Sequence, residues 1–226
     1  MTATLSDTEL VIFDCDGVLV DSEPISSAVL IDELAALGVA ITADYVRDHC
    51  LGRSFPTVAK SIRESFTVPL PEDFEQRYRR SLLVRFETEL RPTPGIEALL
   101  ARLIPARCVA TSSSPPRVAR SLEITGLAPL FGNVFTASQV ARGKPAPDLF
   151  LFAAERMGVP PGRTLVIEDS RPGVDAAIAA GMGVLVFTGG GHMRGHVPDL
   201  PPGVRSFDNW GDFPQVLLRN SAEVAR

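Results

Sequence analysis

Short apolar runs, each ending abruptly, recur along the chain at Glu9 to Phe13, Cys108 to Ala110, Val134 to Thr136, Thr164 to Ile167 and Val184 to Phe187. Their hydrophobicity is continuous rather than alternating, which marks strands buried on both faces, as in a parallel sheet. Helix-length stretches separate them: Gly95 to Leu103, Pro116 to Ile124, Pro147 to Met157 and Pro172 to Ala180. Several have proline near the start and glycine near the end. This alternation predicts an α/β core with right-handed crossovers.

The segment from about Glu23 to Leu90 breaks the pattern. Ile25 to Leu37, Ala43 to His49, Thr57 to Phe66 and Pro71 to Phe86 all read as helices with no strand between them, so a helical insertion is expected after the first strand. Turn chemistry marks its limits, with Pro24 on the way out and Pro92, Pro94 and Gly95 on the return. The expected division is a core of residues 1–22 and 91–226 and a helical unit of residues 23–90, joined by two short connections compatible with a hinge or a rigid interface. The stretch from Gly189 onward is rich in glycine and proline and carries no clear periodicity.

Composition narrows the function. The 226 residues are 45% hydrophobic, enough for one good core and a smaller second one. The net charge is −5 with no block of like charges, so neither an extended nucleic-acid surface nor a basic membrane-binding face is expected. No run approaches the ~18 apolar residues of a membrane span, and the N-terminus lacks the pattern of a secretory signal. Three cysteines, Cys15, Cys50 and Cys108, lie far apart without metal-ligand spacing and fit a reducing cytoplasm. No heptad pattern or isolated apolar stripe predicts an assembly, so a monomer is the expectation.

The chemistry gathers at the strand ends. Asp14-Cys15-Asp16-Gly17 closes the first apolar run, where open α/β sheets place their ligand crevice. Two carboxylates at i and i+2 are costly to hold together unless a cation, hydrogen bonds or a shared proton compensates. An Asx-turn closing a strand is the plainer explanation of that pair alone. Glu168-Asp169-Ser170 follows a second such run, and if the two strands are neighbours four carboxylates converge. An all-oxygen cluster of this kind selects a hard divalent ion such as Mg²⁺ over zinc. Thr111-Ser112-Ser113-Ser114 ends a third strand before a helix and is either an anion site or a simple helix cap. Lys144, in Gly143-Lys144-Pro145, is one of only two lysines in the chain and offers a point charge to a phosphate or to the acid cluster.

These four motifs, in this order and flanking a helical insertion, resemble those of the haloacid dehalogenase superfamily, in particular its capped sugar-phosphatase and β-phosphoglucomutase-like subgroup. The resemblance implies a Rossmann-like parallel sheet flanked by helices, with an inserted α-helical cap that closes over the substrate. It implies Asp14 as nucleophile in an aspartyl-phosphate mechanism and Asp16 as general acid and base. Thr111, Ser112 and Lys144 would hold the phosphoryl group. Asp14, the carbonyl of Asp16, Asp169 and, directly or through water, Glu168 would hold Mg²⁺. The expected substrate is a small phosphate ester, a sugar or sugar-acid phosphate.

Two other outcomes are compatible with the core motifs: a phosphosugar mutase and a non-catalytic phosphometabolite-binding module. The mutase resemblance places an arginine three residues after the cap glycine, whereas Gly52-Arg53-Ser54-Phe55 puts Phe55 there. Retention of Asp14, Asp16, Lys144 and Asp169 argues against a module without activity. Arg77, Arg79 and Arg80 read as a solvated helix face, and His49, His192 and His196 are too scattered in sequence to suggest a metal site. Cys15, between two aspartates, reads as a filler residue rather than a nucleophile.

Overall fold

A computed structural model describes residues 5–66, 69–196 and 199–220. Six parallel strands form one sheet: β1 (Leu10–Phe13), β2 (Ala106–Thr111), β3 (Val134–Thr136), β4 (Thr164–Glu168), β5 (Gly183–Phe187) and β6 (Arg205–Phe207), in the order β3-β2-β1-β4-β5-β6. β1 lies at the centre, with Phe13 beside Val109 of β2 and Ile167 of β4. The chain winds outward from β1 in both directions, so the crevice opens where the order reverses, at the carboxyl ends of β1, β2 and β4.

Why β1 carries no polar residue is plain from the two faces it serves. Successive side chains point to opposite sides of the sheet. Val11 and Phe13 join the larger apolar cluster with α5 (Ile96–Arg102) and α6 (Pro115–Ile124). Leu10 and Ile12 pack instead with Leu149, Phe150 and Ala153 of α7 (Asp148–Met157) and with Ala176 and Ala177 of α8 (Arg171–Ala179). All four β1 residues are fully buried.

The helical insertion comprises α1 (Glu23–Ala35), α2 (Ala43–His49), α3 (Phe55–Phe66) and α4 (Phe74–Glu89). The fourth helix starts and stops three residues later than the sequence pattern predicts. Phe74 N–H donates to the Pro71 carbonyl in a turn before the helix, and the Arg85–Glu89 pair adds a polar last turn before extended Leu90. Its buried face is Phe74, Tyr78, Leu82 and Phe86, one residue per turn.

The two connections to the core are tied to each other. Asp21 N–H donates to Arg91 O, Thr93 N–H to Leu19 O and Thr93 Oγ1 to Val18 O, while Trp210 Nε1 donates to Thr93 Oγ1 at 3.0 Å. Cap residues Leu30, Leu82 and Phe86 belong to the same apolar cluster as Val11 and Phe13. No helix among the described residues is long and apolar enough to cross a membrane.

Candidate active site

The first loop is built to turn sharply. Asp14 N–H donates to Ile167 O, extending the ladder by one residue, after which Leu19 and Val20 N–H both donate to Cys15 O and Gly17 N–H to Val20 O. Gly17 has φ +79°, and a Cβ there would stand 1.9 Å from Asp169 Oδ2, so only glycine lets the loop pass this close to the β4 terminus. Asp14, Asp16, Thr111, Lys144, Glu168 and Asp169 are all buried.

Lys144 joins the two strand ends. Its Nζ donates to Asp14 Oδ1 at 2.7 Å, Glu168 Oε1 at 2.5 Å and Ala110 O at 3.1 Å, which uses all three ammonium hydrogens. Burial alone would lower the Lys144 pKa, but the two carboxylates hold it above its usual value. The other Glu168 oxygen accepts from the N–H groups of Asp169 and Ser170 and from Ser170 Oγ. Both oxygens of this fully buried side chain are therefore satisfied within the protein.

Asp14 and Asp169 are not so well served. Burial pushes the Asp14 carboxyl well up, Lys144 opposing and Glu168 adding to the rise. Burial followed by the repulsion of Glu168 does the same to Asp169. Asp169 Oδ2 is buried without a hydrogen-bond donor. Oxygens of Asp14, Glu168 and Asp169 lie within 4.8 Å of one another. An acceptor with no donor, in a set of hard oxygen ligands carrying more negative charge than Lys144 offsets, is what a divalent cation of the Mg²⁺ type fits.

Asp16 has a different environment. Its Oδ1 accepts from Ser22 Oγ and Arg117 Nη2, each at 2.6 Å, and its Oδ2 from Ser113 Oγ at 2.5 Å. Burial would raise its pKa, but Arg117 and the two hydroxyls together hold it below the usual carboxylate range. The two aspartates of one motif thus titrate in opposite directions from their ordinary values. Cys15 between them is buried, and burial together with both carboxylates pushes its thiol well up, as expected of a filler.

The cap covers part of a cavity of about 70 Å³ over these groups, lined by Asp14, Asp16, Thr111 and Asp169 from the core and by Arg53, Phe55 and Tyr78 from the cap. Thr111 Oγ1 accepts from Ser113 N–H, and Ser112 Oγ donates to Gly52 O at 3.0 Å across the seam between core and cap. Phe55 stacks on Tyr78 at 4.8 Å.

A family model described as haloacid dehalogenase-like hydrolase matches residues 8–181. The chain belongs to the haloacid dehalogenase-like hydrolase family. Among its relatives is 6-phosphogluconate phosphatase of Escherichia coli (strain K12), 28% identical over 214 residues, covering 94% of this chain and 96% of that one. Another, the phosphorylated carbohydrates phosphatase of Thermotoga maritima, is 30% identical over 181 residues, covering 77% and 82%. Among solved structures, a conserved haloacid dehalogenase-like protein from Agrobacterium tumefaciens str. C58 has a TM-score of 0.78 at 32% identity, covering 97% of this chain and all of that one. CbbY of Rhodobacter sphaeroides, solved with phosphate, has a TM-score of 0.77 at 25% identity, covering 91% and 96%.

Three side chains at this haloacid dehalogenase-like site have no catalytic or binding role in the reading of the sequence, although Ser22 closes the first motif and His192 is one of the scattered histidines. Arg117 comes from the first turn of α6, 101 positions from Asp16. Ser22 precedes α1, where a serine reads as a helix cap. Its hydroxyl donates to Asp16 instead, with no side-chain capping bond. His192 comes from the glycine-rich stretch after β5 and brings Nε2 to 3.0 Å from Asp169 Oδ2 without hydrogen-bond alignment. Burial lowers its pKa below that of a free imidazole. Of the cap arginines, Arg77 pairs with Glu33 and Arg79 with Glu75.

Proposed function

We propose that this phosphoric monoester hydrolase is a Mg²⁺-dependent phosphatase of a small phosphate ester, a sugar or sugar-acid phosphate, working through an aspartyl-phosphate on Asp14. The observation that carries the reading is the contrast between the two aspartates: Asp14 held at one oxygen by Lys144, Asp16 held by Ser22, Ser113 and Arg117, both on the floor of one cavity. The names of the relatives, phosphatases of 6-phosphogluconate and of phosphorylated carbohydrates, support the substrate class.

In this mechanism the free oxygen of Asp14 attacks phosphorus while the bond to the ester oxygen breaks. Asp16, once protonated, gives its proton to that leaving oxygen, and as a carboxylate it then takes a proton from the water that cleaves the acyl phosphate and frees Asp14. Thr111 Oγ1, with Ser112, receives phosphoryl oxygens at the end of β2. Lys144 offsets the charge of Asp14 and Glu168, and to touch the phosphoryl group it gives up one of its three present acceptors. Asp14, Asp169 and the Asp16 carbonyl would hold Mg²⁺, with Glu168 behind them or through water. When bound, the ion supplies positive charge against which an anionic nucleophile and an anionic ester approach each other.

The mutase reading is the weaker one because Phe55 offers an aromatic edge where that resemblance needs a guanidinium. We also read the protein as a cytoplasmic monomer, its three cysteines free and buried. The deciding experiment is release of inorganic phosphate from sugar phosphates, sugar-acid phosphates and nucleotides, with Mg²⁺ and then with a chelator. Metal-dependent release from the first two classes is expected. Isomerised sugar phosphate without release would replace this reading with the mutase.

A further inference from the structure

The catalytic reading gives no part to the glycine-rich segment after β5, although that segment reaches the acid cluster. Gly191 N–H donates to Asp21 Oδ1 at 2.8 Å, and Asp21 N–H in turn donates to Arg91 O, so the segment is fastened to the connections between core and cap. A Cβ on Gly190 would stand 2.9 Å from Gly17 O and 2.8 Å from His192 Cε1. A side chain there would push the histidine ring away from the first loop. With glycine in place the ring packs against Gly17 and Asp169, and the His192 side chain is only 8% exposed.

The polar bookkeeping of the core is incomplete at this one contact. Six buried side-chain nitrogen or oxygen atoms among the described residues have no hydrogen-bond partner, and three of them meet here: Asp169 Oδ2 and both ring nitrogens of His192. A buried donor and a buried acceptor left unmade each cost free energy. Nε2 and Oδ2 are 3.0 Å apart, which is already a hydrogen-bond length, so only alignment is missing and rotation of the ring supplies it. Lys144 cannot serve Asp169 instead, because its three hydrogens go to Asp14, Glu168 and Ala110 O.

We infer that His192 is a positioning residue for Asp169: Nε2–H donates to Oδ2 and holds the carboxylate facing Asp14 and Glu168. A carboxylate oxygen has two lone pairs, so this bond leaves Asp169 free to ligate a cation as well. Groups behind a metal ligand fix its direction, and their loss weakens metal binding by about 10–100-fold. The inference rests on the phosphatase reading for the cation that Asp169 would hold.

The test titrates Mg²⁺ calorimetrically into metal-free unmutated protein, His192→Phe and His192→Gln. Phenylalanine keeps a ring and has no donor, whereas glutamine loses the ring and keeps an N–H at the reach of Nε2. His192→Phe is expected to bind Mg²⁺ about tenfold or more weakly, and His192→Gln to regain most of that loss. A residue that only fills space would give the opposite order. In phosphate release by His192→Phe, the Mg²⁺ concentration giving half the maximal rate is expected to rise by a larger factor than kcat at saturating Mg²⁺ falls. Equal Mg²⁺ affinities in the three proteins, or His192→Gln binding no more tightly than His192→Phe, would overturn the inference. Absence of Mg²⁺ binding by the unmutated protein overturns it together with the phosphatase reading, while Mg²⁺ binding without release of phosphate from any ester overturns that reading alone. Nitrogen NMR of the imidazole in the unmutated protein needs no variant to fold: a hydrogen on Nε2 is expected, and a bare Nε2 sinks the inference.

Discussion

Lys144 Nζ lies 2.7 Å from Asp14 Oδ1, and the same ammonium reaches Glu168, so one cation ties the end of β1 to the end of β4. Removing one member of a buried ion pair leaves the other unpaired in a poor solvent. Lys144→Ala is therefore expected to lower stability by about 3–5 kcal/mol. It should also reduce kcat by about 10²–10³-fold through lost charge stabilisation. Denaturant unfolding and steady-state phosphate release measure the two effects separately.

The acid cluster gives the metal-free protein an unusual pH dependence. Asp14 and Asp169 have pKa values raised above their ordinary values, and burial pushes Glu23 up to about 7. A raised folded-state pKa means the folded protein binds protons more tightly than the unfolded chain. The resulting stability is present at low pH and lost as pH rises through the folded value. Metal-free protein should thus lose stability between about pH 4.5 and 7, and Glu23→Gln should flatten the curve across that window. Mg²⁺ should restore stability at the upper end. Thermal melts with and without chelator decide it, and a rise in stability with pH would contradict the assignment.

Gly17→Ala tests the close approach of the first loop to Asp169. The residue would be strained at φ +79°, and its Cβ would displace Asp169 Oδ2. A cost of about 1–3 kcal/mol in stability and a ~10-fold or greater loss of Mg²⁺ affinity are expected. Isothermal titration with Mg²⁺ reads the second effect directly.

A Cβ on Gly52, at φ +71°, would fall 2.2 Å from Ser170 Oγ, so this cap loop is pressed against the start of α8. Gly52→Ala should prop the seam open and lower kcat/KM by about 10- to 100-fold. Faster amide exchange around residues 50–54 should accompany that loss. Ser112→Ala, which removes the hydrogen bond to Gly52 O together with a hydroxyl read as phosphoryl-binding, should cost about 1 kcal/mol of stability.

The strands around the site were legible because each is buried on both faces and leaves an uninterrupted apolar run. β6 was not: Arg205, Ser206 and Phe207 form no such run, two of the three are exposed, and the strand is an edge. It is positioned by pairing with β5 and by Phe207 packing near Phe187 and Trp210. The motif residues Asp14, Asp16, Thr111, Lys144, Glu168 and Asp169 announce themselves through position at strand ends and in one loop. Arg117 does not, because a helix arginine has no local mark of the long-range partner it meets. His192 was hidden in the same way, in a glycine-rich stretch with no periodicity to place it. The later start of α4 shows the limit of proline as a start signal, since Pro71 closes a turn rather than opening the helix.

The cavity of about 70 Å³ over Asp14 is roofed in part by the cap, with exposed Arg53 among its lining residues. Separation of the cap from the sheet would widen the path by which an ester enters and its alcohol product leaves. The alcohol must depart before a water takes its place, so exchange past the cap separates the two half-reactions. Turnover on good substrates is expected to be paced by cap movement, so that kcat falls as solvent viscosity is raised with sucrose, whereas slow substrates should be insensitive to it.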